Sequence, residues 1–287
     1  MLARLVCAAG LLLSPGLLAA AEPVHGNLVL IGGGGRPREV MERFIALAGG
    51  PAAPIVVIPT ASGEPDTGAV TVAAFREEYG CTDVRALEIH TRGDASAREA
   101  AEAIRTASGV YFTGGDQRRI MDAFGGTPAE TALKEAYRAG AVVAGTSAGT
   151  ACQSTLMITG DGDFEVITAD NVQLRPGLGL LGGVIVDQHF IRRRRENRLI
   201  SVVLEHPELL GVGIDESTAV WVKPDRTFEV LGDGWVMVLD ASRATVTRRA
   251  VAGGAHLGVH GLQVDILQAG ERYDPQRRTV LDPAANR

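Results

Sequence analysis

Residues 142–150, VVAGTSAGT, run a short apolar stretch into Gly145, Thr146, Ser147, Ala148 and Gly149. A serine flanked by glycines at these offsets is the pattern of a nucleophile elbow. There a buried strand ends in a turn too tight for a Cβ, and a helix follows. With 36 glycines among 287 residues, about one such chain in seven carries G-x-S-x-G by chance, so the surroundings must carry the reading. "GAVVAG" before Ser147 reads as a buried strand, and "AGTACQSTLM" after it opens as a helix. The glycines permit a strained turn. The helix start offers free N–H groups and a positive dipole to an oxyanion.

Upstream, apolar runs alternate with amphipathic ones. "GNLVLIGGGG" is a strand entering a glycine-rich turn, and "PREVMERFIALAGG" is a helix with Pro at its start and Gly at its end. "APIVVIPTAS", "VRALEIH" and "GVYFTGG" read as strands; "TGAVTVAAFREEYG", "SAREAAEAIRTASG" and most of 117–140 read as helices. Such alternation predicts a mostly parallel sheet covered on both faces, with functional loops at the carboxyl ends of the strands. The last third differs. After the strand "GVIVDQHF" and a basic helix running to about Glu205 come short strands joined by turns, from "LGVGID" to "GLQVDIL". They predict antiparallel additions to the sheet and a C-terminal β layer. The fold class is therefore α/β, a mostly parallel central sheet flanked by helices with antiparallel C-terminal strands.

Bulk properties narrow the function. Residues 1–21 read as a signal peptide: Arg4, the apolar run "LVCAAGLLL", and an A-x-A site at Ala19 and Ala21. Residues 22–287 are then a single α/β domain with C-terminal β additions, exported to the periplasm or the medium. That apolar run is too short to span a bilayer, and no membrane association is expected after cleavage. The net charge of −6 argues against a general nucleic-acid binder. Without a C-x-x-C pair, Cys81 and Cys152 are no zinc ribbon, although an exported protein could join them. "GGGGRPRE" invites a dinucleotide reading, but the third glycine of G-x-G-x-x-G falls on Pro37 or Arg38, so no cofactor is expected. His256 and His260 stand four apart in "GGAHLGVHGL", a stretch too rich in glycine for a helix, so no metal site is expected.

A serine nucleophile needs a base, and the base an orienting acceptor. Among six histidines, His189 ends the strand "GVIVDQHF" and can reach the rim that carries Ser147. His25, His90 and His206 have ordinary placements. Asp161, Asp163, Glu165 and Asp170 lie between the two as candidate acceptors, and spacing alone does not choose among them. Gly114 and Gly115 end a strand beside the elbow, where their N–H groups with that of Ala148 could form an oxyanion hole. Asp215 and Glu216 in "GIDES" are explained by a strand-end turn and are not taken as catalytic. Arg192 to Arg198 hold five arginines and one Glu. Positive charge at a helix start opposes the dipole, unless an anionic ligand offsets it through bidentate arginine contacts.

Together "YFTGGDQRRI", "GTSAGT", "VDQHFIRRRRENRLI" and "GVGIDESTAVWV" closely resemble the cyanophycinases, serine peptidases related to aspartyl dipeptidases on a fold akin to class I glutamine amidotransferases. The resemblance runs from about Gly26 to the "WVMVLD" strand. It implies Ser147 as nucleophile, His189 as base and Glu165, eighteen residues after the serine, as third triad member. It also implies that Gln117, Asp187, Gln188, Arg193, Arg195 and Arg198 contact substrate. The implied substrate is cyanophycin, a polyaspartate with arginine on each side-chain carboxyl, released as β-Asp-Arg dipeptides; a related reading is a peptidase for small Asp-containing peptides. The family also suggests a homodimer. A non-catalytic exported binding protein is the reading outside enzymology. A glutamine amidotransferase would place Cys at the elbow, whereas Cys152 lies five residues beyond it.

Overall fold

The computed structural model describes residues 23–162, 165–252 and 254–281; the expected signal peptide lies outside them. Five strands form the parallel heart: β1 (Asn27–Ile31), β2 (Ile55–Ile58), β3 (Val84–Ala86), β4 (Gly109–Phe112) and β5 (Val142–Thr146), in the order β1-β5-β4-β2-β3. Alternate residues of each strand enter opposite cores. Leu28 and Leu30 of β1 face one layer, Val29 and Ile31 the other. All four are at most 1% exposed. At about 1.5–3 kcal/mol per buried aliphatic side chain, such residues outweigh the roughly 1–2 kcal/mol of backbone entropy each one loses.

Helices α1 (Arg38–Ala48) and α2 (Thr67–Tyr79) pack on one face. Each ends at a glycine in the left-handed region, Gly49 at φ 109° and Gly80 at φ 70°. On the other face lie α3 (Arg92–Ser96), α4 (Arg98–Arg105), α5 (Gln117–Phe124) and α6 (Pro128–Ala139). The single helical stretch expected over 117–140 is thus two helices. Gly125 and Gly126 break it, and Thr127 caps the second through the Glu130 N–H. The elbow helix α7 (Ala148–Ala151) is a single turn.

The C-terminal third corrects one expectation. After a small pair, β6 (Leu156–Ile158) and β7 (Leu174–Pro176), come β8 (Val184–Gln188), α8 (Glu196–Glu205), β9 (Leu210–Ile214), β10 (Thr218–Val222), β11 (Phe228–Gly232) and β12 (Val236–Asp240). A hairpin, β13 (Thr245–Val251) with β14 (Gly254–His260), precedes β15 (Gln263–Leu267), β16 (Arg272–Asp274) and β17 (Thr279–Leu281). Strands β10, β11, β16 and β17 extend the central sheet antiparallel from β1, as expected. The strand bearing His189 does not join that sheet. It lies in a second sheet, β15-β12-β9-β8, whose inner face shares the core of the first and whose outer face is covered by α8 and β14. The sequence could not separate these cases, because both surround apolar strands with apolar neighbours.

Gly213 of β9 seats the segment after β8: a Cβ there would stand 2.3 Å from the Phe190 ring, which is fully buried. Gly213→Val should destabilise the fold by about 1–3 kcal/mol through overpacking and displace the adjoining His189. Urea unfolding measures the first effect, and the reactivity of Ser147 toward a serine-directed probe reads the second.

Candidate active site

The elbow forms at the end of β5. Ser147 has φ 54° and ψ −111°, a sparsely populated conformation for a residue with a Cβ. The flanking glycines are required by contact. A Cβ on Gly145 would fall 2.0 Å from Gly149 O, and one on Gly149 would fall 2.4 Å from Phe112 O. Thr150 Oγ1 lies 2.7 Å from Ile31 O and 2.6 Å from Gly145 O, fastening the turn from below.

Three segments converge on the glycine-rich turn after β1. The Ser147 N–H donates to Ile31 O (3.0 Å), the His189 N–H to Gly32 O (2.7 Å) and the Ser217 N–H to Gly33 O (3.0 Å). Ser147, His189 and Ser217 all have positive φ, 54°, 51° and 54°. Three consecutive carbonyls therefore anchor three strained loops. The same turn leaves room for the side chains. A Cβ on Gly33, at φ 106°, would stand 2.3 Å from His189 Cε1, and one on Gly34 would stand 2.8 Å from the Glu216 side chain. The motif that fails as a dinucleotide loop is the floor beneath an imidazole and a carboxylate.

On that floor, Ser147 Oγ lies 2.8 Å from His189 Nε2, and His189 Nδ1 lies 2.6 Å from Glu216 Oε1. A carboxylate only accepts, so Nδ1 carries the proton and Nε2 is free to accept from the hydroxyl. Burial pushes the His189 pKa below its ordinary 6.5, opposed by the hydrogen bond to Glu216 and assisted by Arg193 and Arg195. Glu216 is held below the usual carboxylate range, mainly by that hydrogen bond. At neutral pH the pair is a neutral imidazole beside an ionised carboxylate, the resting state of a general base.

This corrects the expected acceptor. Glu165 is exposed in the loop between β6 and β7, and the carboxylate on the ring is Glu216. Asp163 lies outside the described residues. The linear sequence does not single out Glu216: "GIDES" follows β9, and it is the parallel pairing of β9 with β8, in which Gln188 stands opposite Ile214, that brings it to His189. A residue just beyond β9 must then lie beside one just beyond β8. Of the expected oxyanion donors, Gly114 adjoins Ser147, since a Cβ there would be 3.5 Å from Ser147 Cβ, and Gly115 packs on Ala61 O with φ 141°. Ala148 is buried at the start of α7.

A cleft of about 280 Å³ opens beside Ser147, lined by Gln117, Arg118, Gln188, Arg193, Arg195 and Arg198 among others. Arg193 and Arg195 precede α8 in a turn, where Arg194 has φ 53°, whereas Arg198 lies in the first turn of α8. Asp187, expected to touch substrate, is fully buried. Its carboxylate binds Arg198 at both oxygens, with Nε to Oδ2 at 2.6 Å. Arg198, 1% exposed, is thereby fixed in the cleft wall. Arg195 Nη1 donates to Gln188 O (2.6 Å), and burial lowers its pKa to about 10, so it stays charged at neutral pH. The Gln117 amide nitrogen donates to Ile158 O (2.8 Å) and Thr159 O (2.9 Å), which leaves Oε1 for a ligand. Arg118, not anticipated from the sequence, bridges Asp116 (2.9 Å) and Asp161 (3.1 Å) across the mouth. Cys81 and Cys152 are free and buried. His256 and His260 lie on β14, and His256 Nδ1 stands 3.3 Å from Arg249.

The fold and this hydroxyl–imidazole–carboxylate line are those of the serine hydrolase class. Residues 28–230 match peptidase family S51; the chain belongs to that family and is a serine peptidase. It is 38% identical over 270 residues to the cyanophycinase of Trichormus variabilis, covering 93% of this chain and 87% of that one. With the cyanophycinase of Geminocystis herdmanii it shares 35% over 257 residues, 89% and 90% of the two chains. The crystal structure of a peptidase from an acI-B1 actinobacterium aligns with a TM-score of 0.66 at 25% identity, over 88% of this chain and 98% of that one.

Two measurements test this geometry. By NMR, the His189 imidazole should titrate below 6.5. Arg193→Gln should raise that value by removing a cation, and Glu216→Gln should lower it by removing the carboxylate. Asp187→Ala should cost about 3–5 kcal/mol in urea unfolding, because it removes the carboxylate that ion-pairs with the buried Arg198.

Proposed function

We propose that this serine peptidase hydrolyses cyanophycin to β-Asp-Arg dipeptides, with Ser147, His189 and Glu216 as its catalytic triad. The observation that carries the reading is the Ser147–His189–Glu216 hydrogen-bonded line at the edge of an arginine-lined cleft. The substrate class rests on the likeness to cyanophycinases over most of the chain and on the chemistry of that cleft. A polyaspartate backbone carrying arginines presents carboxylates to Arg193 and Arg195, and guanidinium groups to Asp116 and Asp161.

In the first step His189 Nε2 takes the Ser147 proton as Oγ attacks the scissile carbonyl carbon. Glu216 holds the imidazole in the required tautomer and stabilises the imidazolium that forms. The carbonyl oxygen becomes an oxyanion against the N–H groups of Gly115 and Ala148. His189 then returns its proton to the leaving amine, and the C–N bond breaks to leave an acyl ester on Ser147. Water attacks the ester carbonyl as His189 accepts its proton; the C–Oγ bond then breaks, His189 returns the proton to Ser147 Oγ, and the acid product leaves. Export rests on the sequence of residues 1–21; N-terminal sequencing of the mature protein from a secreting host should read Glu22 first.

Purified protein incubated with insoluble cyanophycin should clear the suspension and release β-Asp-Arg. Ser147→Ala should lower the rate by about 10⁴-fold or more. Glu216→Gln should lower kcat about 10²- to 10⁴-fold, the penalty for losing the tautomer-fixing carboxylate, while Glu165→Gln should stay near wild type. The acid limb of kcat/KM should fall below pH 6.5, since the base works only when neutral and its pKa is depressed. Clearing by Ser147→Ala at the wild-type rate, or cleavage of small aspartyl peptides without any action on the polymer, would overturn the reading.

A further inference from the structure

A second cleft, of about 370 Å³, borders the elbow at Gly114 and Thr146. It is lined by Gly34, Arg36, Glu64, Asp66, Tyr111 and Thr146, among others. The two clefts share the elbow between them: Gly115 and Ser147 border the arginine-lined one, while their chain neighbours Gly114 and Thr146 border this one. Its volume falls within the ~300–1,000 Å³ of small-ligand sites.

The carboxylates in this cleft are uncommitted. Among the described residues Glu64 and Asp66 make no ion pair, and Asp66, the residue before α2, does not cap that helix with its side chain. Among the described residues Arg36 makes no ion pair; it interacts with Tyr111 and, more weakly, with Tyr79 and Glu78. Beneath them the Tyr111 hydroxyl is fully buried; among the described residues it makes no hydrogen bond of normal geometry, and Arg36 is the cation that faces it within hydrogen-bonding reach. A buried hydroxyl left without a partner is costly. One that lines a cleft beside two carboxylates outside any ion pair, with Arg36 as the cation facing it, is a group that a ligand can also engage. In the arginine-lined cleft the carboxylates already stand in ion pairs: Arg118 bridges Asp116 and Asp161, which a substrate guanidinium there must share, and Arg198 holds Asp187.

We propose that this cleft is a second substrate subsite, which holds the Asp-Arg unit across the scissile bond from the unit in the arginine-lined cleft, its guanidinium on Glu64 and Asp66 and its carboxylate on Arg36. The proposal rests on the cyanophycin reading above and extends it: cleavage requires two adjacent units, one on each side of Ser147. The charges in the two clefts are of mixed sign, as a substrate with a carboxylate and a guanidinium in every unit demands. A substrate lacking either group in the second unit leaves charges here unmatched.

The test uses synthetic two-unit β-Asp-Arg substrates, one carrying arginine throughout and two in which citrulline replaces arginine in one unit or the other. Glu64→Gln/Asp66→Asn should raise KM for the all-arginine substrate by about tenfold to a hundredfold. Its kcat should stay within about twofold, and Ser147 should label with a serine-directed probe as in wild type. Citrulline at one of the two positions should cost wild type a similar factor and cost the double variant nothing more. Arg36→Met should raise KM without altering the citrulline penalty. An unchanged KM in the double variant, or a citrulline penalty that persists in it at both positions, overturns the second subsite and leaves the triad and substrate standing. Failure of wild type to cleave the all-arginine substrate overturns the cyanophycin reading, and this subsite falls with it.

Discussion

Three backbone hydrogen bonds to one turn hold the site together. Ile31, Gly32 and Gly33 present consecutive carbonyls to the N–H groups of Ser147, His189 and Ser217. Each of those donors sits at positive φ, a strain of order 1–3 kcal/mol apiece. Three together rival a substantial part of the 5–15 kcal/mol that stabilises an ordinary domain. Such strain persists only where the surroundings over-determine it. Here the surroundings are β1, buried in the middle of the central sheet, and the carbonyls that leave its end.

The constraint explains why two sheets are needed. A nucleophile and a base on neighbouring strands of one sheet would stand about 5 Å apart at the backbone, with side chains emerging side by side. Here β5 and β8 belong to different sheets, and their ends approach from two directions over the glycine turn. The imidazole can therefore lie flat on Gly33, with one nitrogen toward Ser147 and the other toward Glu216. Glu216 in turn follows β9, the partner of β8, so a single parallel pair supplies both the base and its acceptor.

Electrostatics divides along the same lines. Burial and the flanking Arg193 and Arg195 lower the imidazole pKa while Glu216 raises it, leaving a base that is neutral at physiological pH yet poised to accept a proton. The arginine cluster also serves the fold. Arg198 is locked to Asp187 inside the protein, whereas Arg193 stays exposed at the cleft rim. One run of basic residues thus contains a structural member and ligand-facing ones.

Much was legible in the sequence because it depends on local periodicity. Alternating apolar runs and helices determined the parallel sheet, the pattern around Ser147 determined the elbow, and the apolar strand ending in His189 put a base at a strand terminus. What only the tertiary structure decided was which carboxylate meets that base, which sheet carries it, and what the four glycines are for. Glu165 and Glu216 are equally plausible in a linear chain, since the contact to His189 is set by the pairing of β8 with β9, and strand pairing joins residues by register rather than by distance along the chain. The glycine turn likewise has no local signature of its purpose, because its function is the space it leaves for side chains that arrive from more than 150 positions away.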